Sequence, residues 1–551
     1  MSLRLRVTLL TIAVLLSTQA FPAHLVSAGR DAQGTGEPKL IVVLVADQMR
    51  ADYLDRYSNQ FTGGLRRLME NGAWFQRTMY PYLNTITCAG HSTIGTGTFP
   101  YQHGMILNTW FDRKTGKTTD CTDDGKETEI NYNGLSGPGD SGRRIRVPAL
   151  ADFIRRQHGH VATMSMKARS AIGLAGHSGD IVLWFDTRGG WQTSTAYTPK
   201  PTPFVQQFIA ENRVESAYGH AWELLSDPVS YQGKDDDPAE RAPTGWTRTF
   251  PHVIGSKSGK TDEEFYGHWM RSPLSDEYLG KLAAATVDEL RLGKGPQIDY
   301  LGVSFSALDL VGHAFGPDSF EVQDLIAHLD VTIGALLDHL ERTVGAGNYV
   351  VAFTADHGVG RIPEEAGVGG RETNAETTAA IEKALASLLG PGKYVANAAY
   401  TDIYLQKNAL TRMKKDPAVR AAVLDALRGM TGIAAAYTAE EIMAPGTRSS
   451  SDPLKRAAAL NYFPGRSGDV IIVPRENWIL STSATTHGTL YPYDQHVPLI
   501  FYGAGVKKGR FTSDASPADL APTLAALAGI PFHTTDGHQR KEAFAGPVST
   551  R

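Results

Sequence analysis

Only two cysteines, Cys88 and Cys121, occur in 551 residues. That excludes a disulfide-stapled scaffold, and two thiols cannot make a zinc site by themselves. Charge of one sign is also missing. The 54 basic and 58 acidic residues leave a formal net charge of −4, and no basic run exceeds a few residues. Nothing in that balance supports a nucleic-acid partner. Beyond the first thirty residues no stretch is long and apolar enough to span a bilayer. Internal repeats and low-complexity tracts are absent, which excludes a repeat array. Gly503-Ala504-Gly505 before Lys507-Lys508 lacks the Gly-Lys-Ser/Thr ending of a phosphate loop. What remains is 42% hydrophobic and 20% charged, an ordinary soluble composition. The length allows about three or four domains, or one large α/β enzyme grown by insertion.

The first residues stand apart. MSLRLR is a basic n-region, VTLLTIAVLLSTQAF an apolar h-region, and Val26-Ser27-Ala28 a small-residue cleavage site. Residues 1–28 are therefore expected to be a cleaved signal peptide. The alternative, a membrane anchor, needs roughly 20 apolar residues, and Thr11, Ser17, Thr18 and Gln19 dilute this shorter run. Residues 29–551 are expected to be exported, periplasmic or secreted, with no membrane anchor after cleavage. In an oxidising compartment an even cysteine pair is usually a disulfide, and two buried unpaired thiols are the alternative. A Cys88–Cys121 bridge would tie the turn at Thr87 to the loop after Asn108.

Short apolar, β-branched runs end in polar or glycine-rich turns. They are KLIVVLVA before Asp47, IDYLGVSFSALD, NYVVAFTADHG and HVPLIFYGAG. Such runs are buried parallel strands, and sites in open α/β sheets form outside strand carboxyl ends. The segments carrying Asp47, Asp309 and Asp356 can converge there. A helix is expected over 319–342, with Val322, Ile326, Leu329, Ile333, Leu337 and Leu340 on one face. A second is expected over 518–527, where Pro522 should kink it or shift its start later. Residues 193–280 and 361–480 read as insertions, the second holding a helix over 417–427 and a strand over 469–473. Both are expected to be cap or lid material on one α/β core.

Three carboxylates and three imidazoles lie in this frame: Asp47, Asp309, His313, Asp356, His357 and His487. Two divalent metals taking three protein ligands each need that number, and mixed His/Asp ligation favours zinc over magnesium or calcium. Each motif alone is weak. Asp309-x₃-His313 is most often a helix-surface pair, and His487 most often a loop histidine. Their order carries the weight: strand-end Asp, turn Thr, Asp-x₃-His, strand-end Asp-His, late His-Gly. Between the first two lies NTITCAGHSTIGTG, whose Thr87 opens a glycine-rich, helix-starting stretch. A lone threonine there is commonly an N-cap. A threonine hydroxyl beside metal ions can also ionise and attack phosphorus.

This order of residues resembles the alkaline phosphatase superfamily, from residue 39 to the helix near 527. The closest likeness is to bacterial single-chain alkaline phosphatases with a threonine nucleophile, which are relatives of the nucleotide pyrophosphatase/phosphodiesterases. The resemblance implies an alkaline-phosphatase-like central, mostly parallel sheet flanked by helices, with cap or insert regions. It implies two Zn²⁺ per chain, one on Asp309, His313 and His487 and one on Asp47, Asp356 and His357. It implies that Thr87 lies between them as the nucleophile and that a phosphothreonine forms. Lys167, Arg169 and Asn108 resemble the phosphate clamp of monoesterases, so small phosphate monoesters are the expected substrates.

Three other functions are weighed. An arylsulfatase needs a C/S-x-P-x-R frame, and Cys88 is followed by Ala89-Gly90-His91. A phosphodiesterase or nucleotide pyrophosphatase fits the nucleophile turn equally, and Lys167-x-Arg169 is what separates it. A non-catalytic zinc- or phosphate-binding periplasmic protein has no use for a hydroxyl between metals. His91 is expected to order the turn at Thr87, and His496 to support the following strand. Asp123-Asp124 and Asp235–Asp237 lack the loop spacing for calcium.

Overall fold

The computed structural model describes residues 37–367 and 369–546; the expected signal peptide lies outside the described residues. Eleven strands form one sheet in the order Gly509–Ala515, Ala73–Thr78, Leu499–Gly503, Tyr349–Thr354, Leu40–Ala46, Asp299–Phe305, Val161–Ser165, Ile181–Asp186, Gly190–Ser194, Asp123–Asn131 and Pro138–Asp140. The five strands from Tyr349–Thr354 to Ile181–Asp186 run parallel.

All seven residues of Leu40–Ala46 are buried, because this strand is covered on both faces. Its side chains alternate between two cores. Leu40, Val42 and Leu44 pack with Leu325, Ile326 and Leu329 of helix Phe320–Thr343. Ile41, Val43 and Val45 pack with Ile94, Leu150, Leu174 and Leu520 from the helices on the opposite face. The period of two along the strand thus decides which helix layer each residue holds.

The registers Ala46↔Phe305, Val45↔Thr354 and Ser165↔Ser304 align four carboxyl ends at one edge. The segment Leu499–Gly503 is a strand, as its composition indicates, but it pairs antiparallel with Tyr349–Thr354. Its amino end therefore faces the site, and the segment bearing His487 enters from that side. Apolar runs carry no direction, so this was not readable from the sequence.

Helix Phe320–Thr343 buries every residue of the expected stripe. Its cap is Ser319, whose Oγ accepts from Val322 N–H. At the other end of the chain, Ser516 caps a short 3₁₀ turn, Pro517–Asp519, and the α-helix starts at Leu520. Pro522 then sits in the first turn, where a missing N–H costs nothing, so the start moves and no kink is needed. The region after residue 193 is more helical than its composition indicates. Helix Pro273–Glu289 runs across position 280, buried on several sides and so without a clean amphipathic period. Between residues 361 and 480 a four-stranded antiparallel sheet forms in the order Val395–Ala399, Asp402–Leu405, Val470–Pro474, Ile433–Thr438. Helix Pro417–Arg428 packs on one face of it and Pro453–Asn461 on the other.

Candidate active site

Asp47 directly follows Leu40–Ala46, and Asp356 closely follows Tyr349–Thr354. Asp309 and His313 lie four residues apart on helix Ala307–Phe315, which opens just after Asp299–Phe305. Asp276, pushed up to about 7 by burial, accepts from the Ser306 and Ala307 N–H groups at that helix's start. Lys167 precedes helix Ala168–Ala175 after Val161–Ser165. The parallel strands thus deliver Asp47, Lys167, Asp309 and Asp356 to one edge.

Thr87 is the first residue of helix Thr87–Thr96. The N-cap is Ile86, with no side-chain cap bond, so the Thr87 hydroxyl is not used for capping. Its oxygen lies 3.4 Å from His357 Nε2 and is buried. The helix sits hard against the Asp356 backbone: a Cβ on Gly90 would stand 2.2 Å from the Asp356 carbonyl oxygen. Only glycine allows that approach. His91 orders this turn, as its position indicates. Its Nδ1–H donates to the Thr87 carbonyl at 2.9 Å, and its Nε2 accepts from Ser304 Oγ at 2.7 Å. His496 Nε2 meets the Gln76 carbonyl on the adjoining strand Ala73–Thr78.

The imidazoles share one arrangement. Nδ1 of His357 faces the Gly358 carbonyl at 3.0 Å, Nδ1 of His313 that of Thr485 at 3.0 Å, and Nδ1 of His487 that of Thr85 at 2.9 Å. A carbonyl only accepts, so each Nδ1 carries its proton and each Nε2 turns inward. The three Nε2 atoms lie 3.2–3.5 Å from carboxylate oxygens: His357 from Asp356 and Asp47, His313 and His487 from Asp309. Ligand atoms of Asp309, His313 and His487 lie within 4.8 Å of one another, as do those of Asp47, Asp309 and His357. The first expected set is brought together. In the second, Asp309 takes the third place, and Asp356 stands beside His357 and His91.

Lys167 explains that difference. Its ammonium lies 2.6 Å from Asp47 Oδ2 and 2.5 Å from Asp309 Oδ2, drawing the two carboxylates together. Its side chain is thus turned to the carboxylates. Arg169 keeps a buried Nε with no hydrogen-bond partner among the described residues. Asn108 Oδ1 accepts from Cys88 N–H at 2.9 Å, which makes its amide N–H₂ the donor end of the side chain.

Lys167 pairs with two of the three buried carboxylates, Asp47 and Asp309, and the third, Asp356, lies against His357 and His91. Burial and the neighbouring Asp356 push Asp47 up to about 7. Asp309 is held well below the carboxylate range although burial opposes this, because Lys167 and His313 face it. Burial pulls His357 down, but Asp356 more than offsets it and holds the ring at about 9. Burial and the adjacent His357 take His487 down to about 3. Among the described residues, Asp47 Oδ1 and Asp356 Oδ2 are buried without a hydrogen-bond partner, with only imidazole nitrogens 3.2–3.5 Å away. Orphaned carboxylate oxygens beside inward imidazole nitrogens fit divalent metal ions, which satisfy both at once.

Gln48 is a site residue that the motifs did not flag. It is buried at φ +71°, the left-handed region that non-glycine residues rarely adopt. There its N–H donates to Asp356 Oδ1 at 3.1 Å and its Nε2 to Asp309 Oδ1 at 2.7 Å. Gly312 makes room, since a Cβ there would lie 1.8 Å from Gln48 Oε1. The one available signal was a polar residue directly after the strand-end Asp47. The segment between residues 361 and 480 also reaches the site, where Tyr400 OH donates to the His487 carbonyl. Asp124 is spent on Arg143 and Ser141 rather than on a cation site.

Cys88 and Cys121 are joined, fixing the turn at Thr87 to the segment after Asn108. With a sequence separation of 33, loop-closure entropy gives an expected loss of about 3–4 kcal/mol for Cys88→Ser with Cys121→Ser. Urea unfolding of the double variant checks this, and an unchanged midpoint contradicts it.

Similar proteins bear on this geometry. The alkaline phosphatase PhoV of Synechococcus elongatus is 31% identical over 518 residues, covering 90% of this chain and 91% of its own. The alkaline phosphatase PafA of Elizabethkingia meningoseptica is 30% identical, covering 90% and 92%. The PafA crystal structure superposes with a TM-score of 0.84, covering 93% of this chain and 99% of that one. A solved PafA variant is altered at a threonine, an asparagine, a lysine and an arginine. Its threonine–asparagine and lysine–arginine separations equal those of Thr87–Asn108 and Lys167–Arg169 here. The family model for type I phosphodiesterase / nucleotide pyrophosphatase matches residues 41–497. The chain belongs to the type I phosphodiesterase / nucleotide pyrophosphatase family.

Proposed function

We propose that this protein is an exported alkaline phosphatase that hydrolyses phosphate monoesters through a phosphothreonine at Thr87. The observation that carries it is the Thr87 oxygen 3.4 Å from His357 Nε2, inside the cluster of inward imidazoles and orphaned carboxylate oxygens. Two zinc ions, held by Asp309, His313 and His487 and by Asp47, Asp356 and His357 with Thr87 between them, would supply charge neutralisation and ionisation of oxygen ligands. Thr87 Oγ forms the bond to phosphorus as the ester P–O bond breaks and the alcohol leaves. Water then releases phosphate and restores the hydroxyl. The helix start at Thr87 favours the negative charge gathered there. Asn108 Nδ2 and Arg169 would meet phosphoryl oxygens, and Lys167 would join them where metal ions hold Asp47 and Asp309 in its stead. Among the described residues no helix is long and apolar enough to cross a membrane. The resemblance of residues 1–28 to a signal peptide supports export, with one catalytic domain over 29–551 capped by its insertions.

The family name also covers diesterases, and the Lys167/Arg169 pair separates the two readings. A monoester presents a dianionic phosphoryl group, whereas a diester has one of those oxygens esterified. Charge-assisted contacts screened from water contribute on the order of 2–4 kcal/mol to the transition state. Lys167→Ala or Arg169→Ala should therefore lower monoester kcat/KM by roughly 10²–10³. Diester kcat/KM should change much less. The ratio of p-nitrophenyl phosphate to bis-p-nitrophenyl phosphate, measured with metal content on the same sample, tests this. Equal losses on both substrates count against the monoesterase.

A further inference from the structure

Two residues beyond Asn108, Trp110 lines a cavity of about 290 Å³ that the proposed reaction does not use. Its walls carry five cations, Lys114, Arg143, Arg144, Arg146 and Arg466, against one carboxylate, Asp112. Arg144 and Arg466 lie over the Trp110 ring at 5.5 and 5.0 Å. Arg466 is 7% exposed, and no carboxylate among the described residues pairs with it. Among the described residues its guanidinium donates to the carbonyls of Gly104 and Arg144 and to Met105 Sδ. Burial and the neighbouring Arg146 and Arg144 take it down to about 9. A buried cation without a counter-charge is costly unless an anion completes it. Arg143 is partnered by Asp124, and Arg144 by the Asp123 carbonyl and Thr119. Lys114 and Arg146 form no ion pair among the described residues.

The cavity adjoins the proposed phosphoryl site. Asn108 and Trp110 are separated by about 7 Å of extended chain. Asp120 interacts with both Arg169 of the clamp and Arg144 of the cavity. Asn461, just before Phe463 of the cavity wall, accepts from Asn84 N–H and donates to the Ile106 carbonyl, in the segments that flank Thr87 and Asn108.

We propose that this cavity is a second anion subsite, which receives a further phosphate group carried by the leaving part of the substrate. The preferred substrates are then bisphosphorylated small molecules, such as sugar bisphosphates. This rests on the phosphomonoesterase reading. Stacking on Trp110 pre-orients Arg144 and Arg466 for phosphate, and the exposed Lys114 and Arg146 add attraction that salt screens.

The test compares kcat/KM of the metal-loaded enzyme for glucose 1,6-bisphosphate and glucose 6-phosphate. At low ionic strength the bisphosphate should be favoured by roughly tenfold or more, each exposed cation contributing up to about fivefold. That ratio should shrink as salt is added. In Lys114→Ala with Arg146→Ala it should fall toward the factor of about two that a second cleavable phosphate supplies by itself. Arg466 also holds two carbonyls, so the surface double variant carries the test and Arg466→Met extends it. A wild-type ratio near two, or a ratio that the double variant leaves unchanged, overturns the subsite. Loss of turnover on both sugars with a diester still cleaved overturns the monoesterase reading, and this assignment with it.

Discussion

Thr87→Ala should abolish phosphate-ester hydrolysis, with a loss on the order of 10⁴-fold or more, because no other hydroxyl replaces the attacking oxygen. Thr87→Ser should keep a measurable part, since it retains the oxygen and loses only a methyl group. The rival explanation is structural: a threonine at a helix start often caps it, and losing a cap costs about 0.5–2 kcal/mol. Here the two are separable. Ile86 is the N-cap and the Thr87 side chain makes no capping bond. Thr87→Ala should therefore leave the thermal midpoint and the metal content close to those of the parent while activity is lost. Acid-quenched parent enzyme should carry phosphate on Thr87. Label on another residue, or a large drop in midpoint alongside the loss, removes Thr87 from the nucleophile role.

The sheet and the order of the candidate residues were legible because buried parallel strands leave unbroken apolar runs, and three of the four runs lead into an aspartate. Asp47, Asp309 and Asp356 could be placed at one edge from that fact alone. Strand direction was not legible, since Leu499–Gly503 has the same composition whether it runs with or against its neighbour. Nor was Gln48. Its role depends on a left-handed backbone conformation and on the missing side chain of Gly312, two features distant in sequence that only the fold brings together. The clamp shows a third kind of limit. Lys167-x-Arg169 was recognisable as a pair, but the geometry turns Lys167 to Asp47 and Asp309, a choice made by local charge balance rather than by spacing.

That charge balance sets the second large effect. Stripping divalent ions should remove activity entirely, and adding back Zn²⁺ should restore it, with about two ions per chain in the active protein. Stability should move as well, which gives a readout independent of turnover. Asp47, Asp309 and Asp356 are all buried, and Lys167 pairs with the first two while Asp356 lies against His357 and His91. Ions that bind only the folded chain raise its stability by about 4 kcal/mol at a thousandfold excess over Kd. The stripped protein should therefore melt several degrees lower and recover on reloading. Single substitutions should sort by position. His313→Ala, His357→Ala and His487→Ala each remove an inward Nε2 and should lose both bound metal and nearly all activity. His91→Ala removes contacts to the Thr87 carbonyl, Ser304 and Asp356 but no inward Nε2, so it should retain metal and cost roughly 10–100-fold. His496, bonded to Gln76 on a neighbouring strand, should change activity little when replaced. Activity that survives exhaustive chelation would end the metal assignment. Equal losses at His91 and His357, with metal retained in both, would instead mark these imidazoles as packing groups and leave the orphaned oxygens of Asp47 and Asp356 without an account.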